Sequence, residues 1–165
     1  MAHQFTVSVA IQGVSLDDFK RLAADTALHE AVCRRIPGEN LEILESRKTG
    51  DMYTLKRAYN LDVNIPDIAK KLLKDAFRLH RTDVSDLAKM TSEVILDPNL
   101  PLEARCQRQV TGDASQIQFQ LEWTVKVKVP LIGGLLEKHA EAEIRRFSQL
   151  ELEIVEDELR KNLSA

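Results

Sequence analysis

Between Gln116 and Val129 the chain alternates without a break. Ile117, Phe119, Leu121, Trp123, Val125, Val127 and Val129 fall on one parity, and Gln116, Gln118, Gln120, Glu122, Thr124, Lys126 and Lys128 on the other. Side chains of a strand point to opposite faces in turn, so this run predicts a strand with one apolar and one wet face. Such a strand belongs in an antiparallel sheet covered on one side only. The next segment can supply the cover. Pro130-Leu131-Ile132-Gly133-Gly134 stops the strand, and Ile132, Leu136, Ala140, Ile144, Phe147, Leu150 and Ile154 then recur at spacings of three and four up to about Leu163. This predicts a helix of about 30 residues, roughly 45 Å long, enough to cross a whole sheet.

The rest of the chain fits the same plan. Phe5, Val7, Val9 and Ile11 alternate with polar neighbours, predicting a first strand. Ser15 stands as an N-cap before a short helix to about Asp25, and Thr26 before a second that ends at Pro37-Gly38. Leu41–Arg47 and Met52 to about Val63 flank Thr49-Gly50-Asp51 as a hairpin. Ile65–Arg81 reads as a basic amphipathic helix, with Ile68, Ala69, Leu72, Leu73 and Ala76 opposite Lys70, Lys71, Lys74 and Arg78. Strands are predicted at about 79–88, 91–97 and 103–111. Strands with helices segregated to one face make an α+β fold.

Composition bounds what such a fold can do. The chain has 165 residues, 44% hydrophobic and 30% charged, with net charge −3. One domain over 1–165 would bury roughly 68–70% of its unfolded surface and needs no disulfide or metal to fold. No run nears the ~18–20 apolar residues of a membrane span, and the start has no basic patch followed by an apolar stretch. Cys33 and Cys106 are the only cysteines and are far apart. Together these features lead us to expect a cytoplasmic protein. The acidic balance argues against nucleic acid as a partner. His3, His29, His80 and His139 are scattered, with no metal-ligand spacing, phosphate-cradling glycine loop or nucleophile elbow, so we expect no metal or cofactor.

The element order, together with the junction Val127-Lys128-Val129-Pro130-Leu131-Ile132-Gly133-Gly134-Leu135-Leu136-Glu137-Lys138, resembles the START-like (SRPBCC) superfamily. The nearest likeness is to a bacterial family of unknown function with a Pro-Leu-x-Gly-Gly-x-x-Glu junction. The resemblance implies a helix-grip fold. In that fold a curved antiparallel sheet of about seven strands wraps a long C-terminal helix, and two short helices follow the first strand. It also implies a cavity between sheet and helix, which in different members holds lipids, sterols, polyketides or plant hormones.

Polar residues on apolar faces are the candidates for such a cavity. Arg57 shares the parity of Tyr53, Leu55, Tyr59 and Leu61, and Arg108 that of Ala104, Cys106 and Val110. On a wheel of 100° per residue Glu143 lies about 20° from Ile132 and from Leu136, with His139 bordering the stripe. Unpaired buried charge costs several kcal/mol, so three arrangements are open for these groups: orienting a ligand, pairing internally, or reaching solvent through a strand bulge. Glu143 can also pair with Arg146. The candidate ligand-binding set is Arg57, Tyr53, Tyr59, Arg108, Phe119, Trp123, Leu136, His139, Glu143 and Phe147, although the aromatics also serve as ordinary core.

The expected function is binding or transport of a lipid-like hydrophobic small molecule. One alternative is a cyclase- or hydrolase-like enzyme in the same cavity, with His139 and Glu143 at i,i+4. Another is a protein-interaction module using the acidic run Glu151–Glu158, for which a cavity below a few hundred Å³ would speak. Lys70, Lys71, Lys74 and Arg78 are candidates for transient contact with a membrane surface.

Overall fold

The computed structural model describes residues 2–164; Met1 and Ala165, the ends of the expected domain, lie outside the described residues. The chain runs β1 (His3–Gln12), α1 (Leu16–Ala23), α2 (Thr26–Arg35), β2 (Gly38–Thr49), β3 (Met52–Leu61), α3 (Asp67–Lys70), β4 (Arg78–Asp86), β5 (Thr91–Pro98), β6 (Leu102–Gly112), β7 (Gln116–Val127) and α4 (Gly133–Ser164). The seven strands form one antiparallel sheet in the order β1-β7-β6-β5-β4-β3-β2. Only β1 is out of sequence, so α1 and α2 carry the chain from one edge of the sheet to the other.

Local chemistry explains the boundaries. Ser15 Oγ accepts from the Asp18 N–H at 3.0 Å and starts α1. Asp25 caps α2 by accepting from Ala27 N–H at 2.9 Å, so Thr26 is the first residue of that helix and not its expected cap. Two register shifts in β2, with Asn40 in the left-handed region at φ 55°, bend the edge of the sheet. Gly112, before the β6–β7 turn, has room for no side chain: a Cβ there would run into the Gln116 carbonyl oxygen and lie 2.9 Å from Ile117 Cα.

The apolar face of β7 is buried from Ile117 to Val125, and the strand ends at Val127, short of Val129. Helix α4 lies against β1, β7 and α2. Its inward face differs from the predicted stripe: Ser148, Leu152 and Leu159 are buried, while Phe147 and Leu150 are only partly so. Packing against α2 as well as the sheet turns the distal half of the helix. Phe19 meets Phe119 edge to face at 5.5 Å and closes that end of the core.

The expected basic helix over Ile65–Arg81 is corrected. Only α3 is helical, and Arg78 opens β4 opposite Asn60. An isolated helix of that length is marginal in water, and here strand pairing wins. Arg78 N–H donates to Asn99 Oδ1 at 2.9 Å, and its guanidinium holds Asn40 O, Asn60 Oδ1 and Glu42 within 3.1 Å. Arg78 is therefore tied into the sheet and no longer groups with Lys70, Lys71 and Lys74, which remain exposed near α3.

Candidate functional site

Strand register builds the site. The inward residues of three adjacent rows across the sheet are polar at its centre. Arg57 faces Arg81 across β3 and β4; the next row runs Leu55, Asp83, Val94, Cys106 and Trp123; the third runs Tyr53, Ser85, Ser92, Arg108 and Leu121. Asp83 thus stands one row from Arg57 and Arg81 on one side and one row from Arg108 on the other. It accepts from Arg57 Nη1 at 2.8 Å and from Arg81 Nε and Nη2 at 2.9 and 3.1 Å, with Arg108 Nη1 4.0 Å away. Arg81 also donates to Glu151 of α4 at 3.0 Å, tying helix to sheet.

Burial raises the Asp83 carboxyl, yet the three guanidinium groups hold it far below the usual carboxylate range. Burial likewise works against the Arg81 charge, and Asp83 and Glu151 keep it firmly protonated. Burial pushes the Cys106 thiol up to about 12, so it is an inert apolar filler.

Two cavities flank this cluster, and between them they take all ten candidate residues. The first, about 140 Å³, lies between α4 and the sheet near α3; Tyr59, Trp123, Leu136, His139, Glu143 and Phe147 are in its wall. Most of the remaining lining is aliphatic, with Leu79, Leu96 and Ala104 among it. Leu72 lines this cavity and is itself exposed, so the hollow reaches solvent at α3. The buried indole Nε1–H of Trp123 has no hydrogen-bond partner. The second cavity, about 70 Å³, lies toward α1 and α2 and takes Tyr53, Arg57, Arg108 and Phe119. Arg81 lines the first and Asp83 the second, while Glu151 faces both, so the cluster stands where the two meet.

Arg57 is buried and pairs internally, so no bulge turns it to solvent. Glu143 pairs with Arg146 at 2.6 Å and accepts from the Asn64 backbone and side chain. His139 bonds the Asn64 carbonyl, so Asn64 holds both residues once weighed as an acid–base pair. The acidic run is engaged within the chain: Glu151 with Arg81, and Asp157 and Glu158 with Arg35 at 2.6 and 2.9 Å. Sequence reasoning missed Arg81, Asp83, Ser85 and Glu151. Their signal was the shared parity of Leu79, Arg81, Asp83 and Ser85 within the strand predicted at about 79–88, where the polar residues on the apolar parity were not singled out.

Among the described residues no helix is long and apolar enough to cross a membrane, and no cluster of His, Cys, Asp or Glu could hold a metal ion. Residues 6–159 match the family described as "Protein of unknown function (DUF2505)". The chain belongs to that family. This DUF2505 protein has the START-like helix-grip fold expected from its sequence. A protein from Thermus thermophilus superposes with a TM-score of 0.65 at 14% identity, over 97% of this chain and 99% of that one. An aromatase/cyclase from Streptomyces gives 0.64 at 16%, over 98% and 96%. A START superfamily protein from Mycobacterium smegmatis gives 0.58 at 13%, over 96% and 98%. A comparison with curated proteins finds no match.

Proposed function

We propose that this DUF2505 protein binds a small, largely apolar molecule in the first cavity and acts as a non-catalytic carrier or sensor. The observation that carries the reading is the largely aliphatic and aromatic wall of this cavity, with Trp123, Leu79, Leu96 and Phe147 in it and few polar groups among them. A small molecule that covers this apolar surface gains free energy in proportion to the area removed from water. The relatives named above support the reading only through their shared fold, since one fold hosts many functions.

The volume, about 140 Å³, is the observation that favours the interaction module, because drug-sized ligands occupy ~300–1,000 Å³. The cavity is nonetheless open at α3 and not closed by packed side chains. A ligand of one or two rings, or part of an acyl chain, suits it as it stands. Fully exposed Leu131, with Leu135, Ile68 and Leu72 also exposed, lies on the segments that border this opening, and Lys70, Lys71 and Lys74 are near α3. We extend the proposal to transient contact of this end with an anionic lipid surface, by which the ligand enters.

Native mass spectrometry of the protein purified from cells, followed by solvent extraction, tests the reading. We expect a hydrophobic molecule bound one to a chain. A chain that comes out empty, and stays so when mixed with small aromatics and fatty alcohols, contradicts it.

A further inference from the structure

The second cavity is lined by two arginines, Arg57 and Arg108, whose N–H groups the chain engages only in part. Each arginine carries five N–H groups. In Arg57, which is 4% exposed, Nη1 reaches Asp83 and more distantly the Leu55 carbonyl, and the buried Nε–H has no partner at all. In Arg108, Nη2 donates to Ser92 Oγ at 2.8 Å and Nη1 stands 4.0 Å from Asp83. Ser92 in turn shares a hydrogen bond with Ser85 at 2.8 Å. The two guanidinium groups, each one row of the sheet from Asp83 and on opposite sides of it, therefore line one small space with N–H groups the chain leaves unpaired.

The carboxylates nearest them are already engaged. Asp83 serves Arg57 and Arg81, and Glu151 serves Arg81. Asp86 at the edge of the cavity uses its Oδ1 on the Ala88 and Lys89 N–H groups of the turn. The Tyr53 hydroxyl bonds Ser46 at 2.8 Å. His29 bonds the Ala23 carbonyl through Nε2 at 2.7 Å, so Nε2 is the protonated nitrogen, and burial lowers its pKa and keeps the ring neutral. Cys33 and Cys106 lie close by, and at each thiol burial dominates. The opposite wall is apolar, with Phe19, Leu28 and Phe119.

We propose that the second cavity is a binding site for the carboxylate of a small organic acid, received by Arg57 and Arg108, with its short apolar body against Phe19, Leu28 and Phe119. A carboxylate is an acceptor-only group with two oxygens, which answers a surplus of donors as a neutral group cannot, and guanidinium forks match its geometry. About 70 Å³ admits only a compact acid. The site is separate from the one proposed for the apolar ligand and does not depend on it.

The test follows the Arg Nε–H signals of the intact protein by NMR during titration with butyrate, with butyramide and with inorganic phosphate. We expect saturable shifts of Arg57 and Arg108 with butyrate, none with butyramide, and weaker binding of phosphate. Arg108→Met should lower butyrate affinity at least tenfold. Ala140 lines the first cavity and not the second, so Ala140→Phe, which fills the first, should leave butyrate binding in place. Four results would overturn the proposal: no shift up to tens of millimolar butyrate, butyramide binding equally well, phosphate binding more tightly than butyrate, or loss of butyrate binding in Ala140→Phe. The butyrate–butyramide contrast is read on the unmodified chain, so it holds even where a variant folds poorly.

Discussion

Arg81 of β4 and Glu151 of α4 meet at 3.0 Å across the interior, and this ion pair stands where the two hollows of the molecule adjoin. The same guanidinium is anchored on Asp83, so helix and sheet are joined through one guanidinium at the place where the cavities adjoin. The consequences can be measured residue by residue.

Asp83→Asn removes the negative charge that holds Arg57 and Arg81 in the interior. Breaking a buried ion pair by deleting one partner costs about 3–5 kcal/mol, because the other charge stays buried without compensation. We expect a loss of that size in urea unfolding, and a smaller one for Arg105→Ala, whose partners Glu93 and Glu103 lie at the surface.

The pH dependence follows from the depressed Asp83 value. A carboxyl whose folded pKa lies below its unfolded ~3.9 gives stability that is fully present above that pH and is lost as pH falls through the folded value. The stability gap between wild type and Asp83→Asn should thus be constant near neutrality and close steadily below pH ~4. His29 is shifted in the same direction for a different reason. Burial keeps it neutral, so protonation below its unfolded ~6.5 opposes folding, and His29→Gln should flatten the mild decline between pH ~6.5 and ~5.

Gly112→Ala tests the β6–β7 turn. The new methyl group meets the Gln116 backbone and has nowhere to move, so we expect about 1–3 kcal/mol of destabilisation. Gly134→Ala, where a Cβ meets open space, should be neutral or slightly stabilising.

These residues also mark how far the sequence could be read. The alternation of Gln116–Val127 and the recurrence through Leu136, Ala140 and Ile144 state the two layers of the fold directly, because burial on one face imposes a period. Arg57 and Arg108 were visible for the same reason, as breaks in an apolar parity. Asp83 and Arg81 obey that parity too, within the strand predicted at about 79–88, but the helical period read from Ile65 to Arg81 runs about three turns past the end of α3 at Lys70 and overlaps the start of β4. Which side chains share Asp83, and which face of α4 looks inward beyond Phe147, depend on strand register and on contact with α2, neither of which leaves a local pattern.

The membrane-contact proposal predicts that the protein sediments with vesicles containing anionic lipid and not with neutral ones. Lys70, Lys71 and Lys74 should each add about 1 kcal/mol near such a surface, so replacing all three by Gln should weaken binding at least tenfold. Arg78→Gln, by contrast, should act on stability, since Arg78 is bound within the sheet.

Trp123 is the only tryptophan of the chain and lines the first cavity, so its fluorescence reports directly on whether that space takes a ligand. Titration with neutral compounds, from single-ring aromatics to medium-chain alcohols, should give a saturable change at one site per chain for at least one of them, and Ala140→Phe should abolish it while leaving the unfolding transition intact. A signal that no compound alters, or one that Ala140→Phe leaves unchanged, would contradict the account.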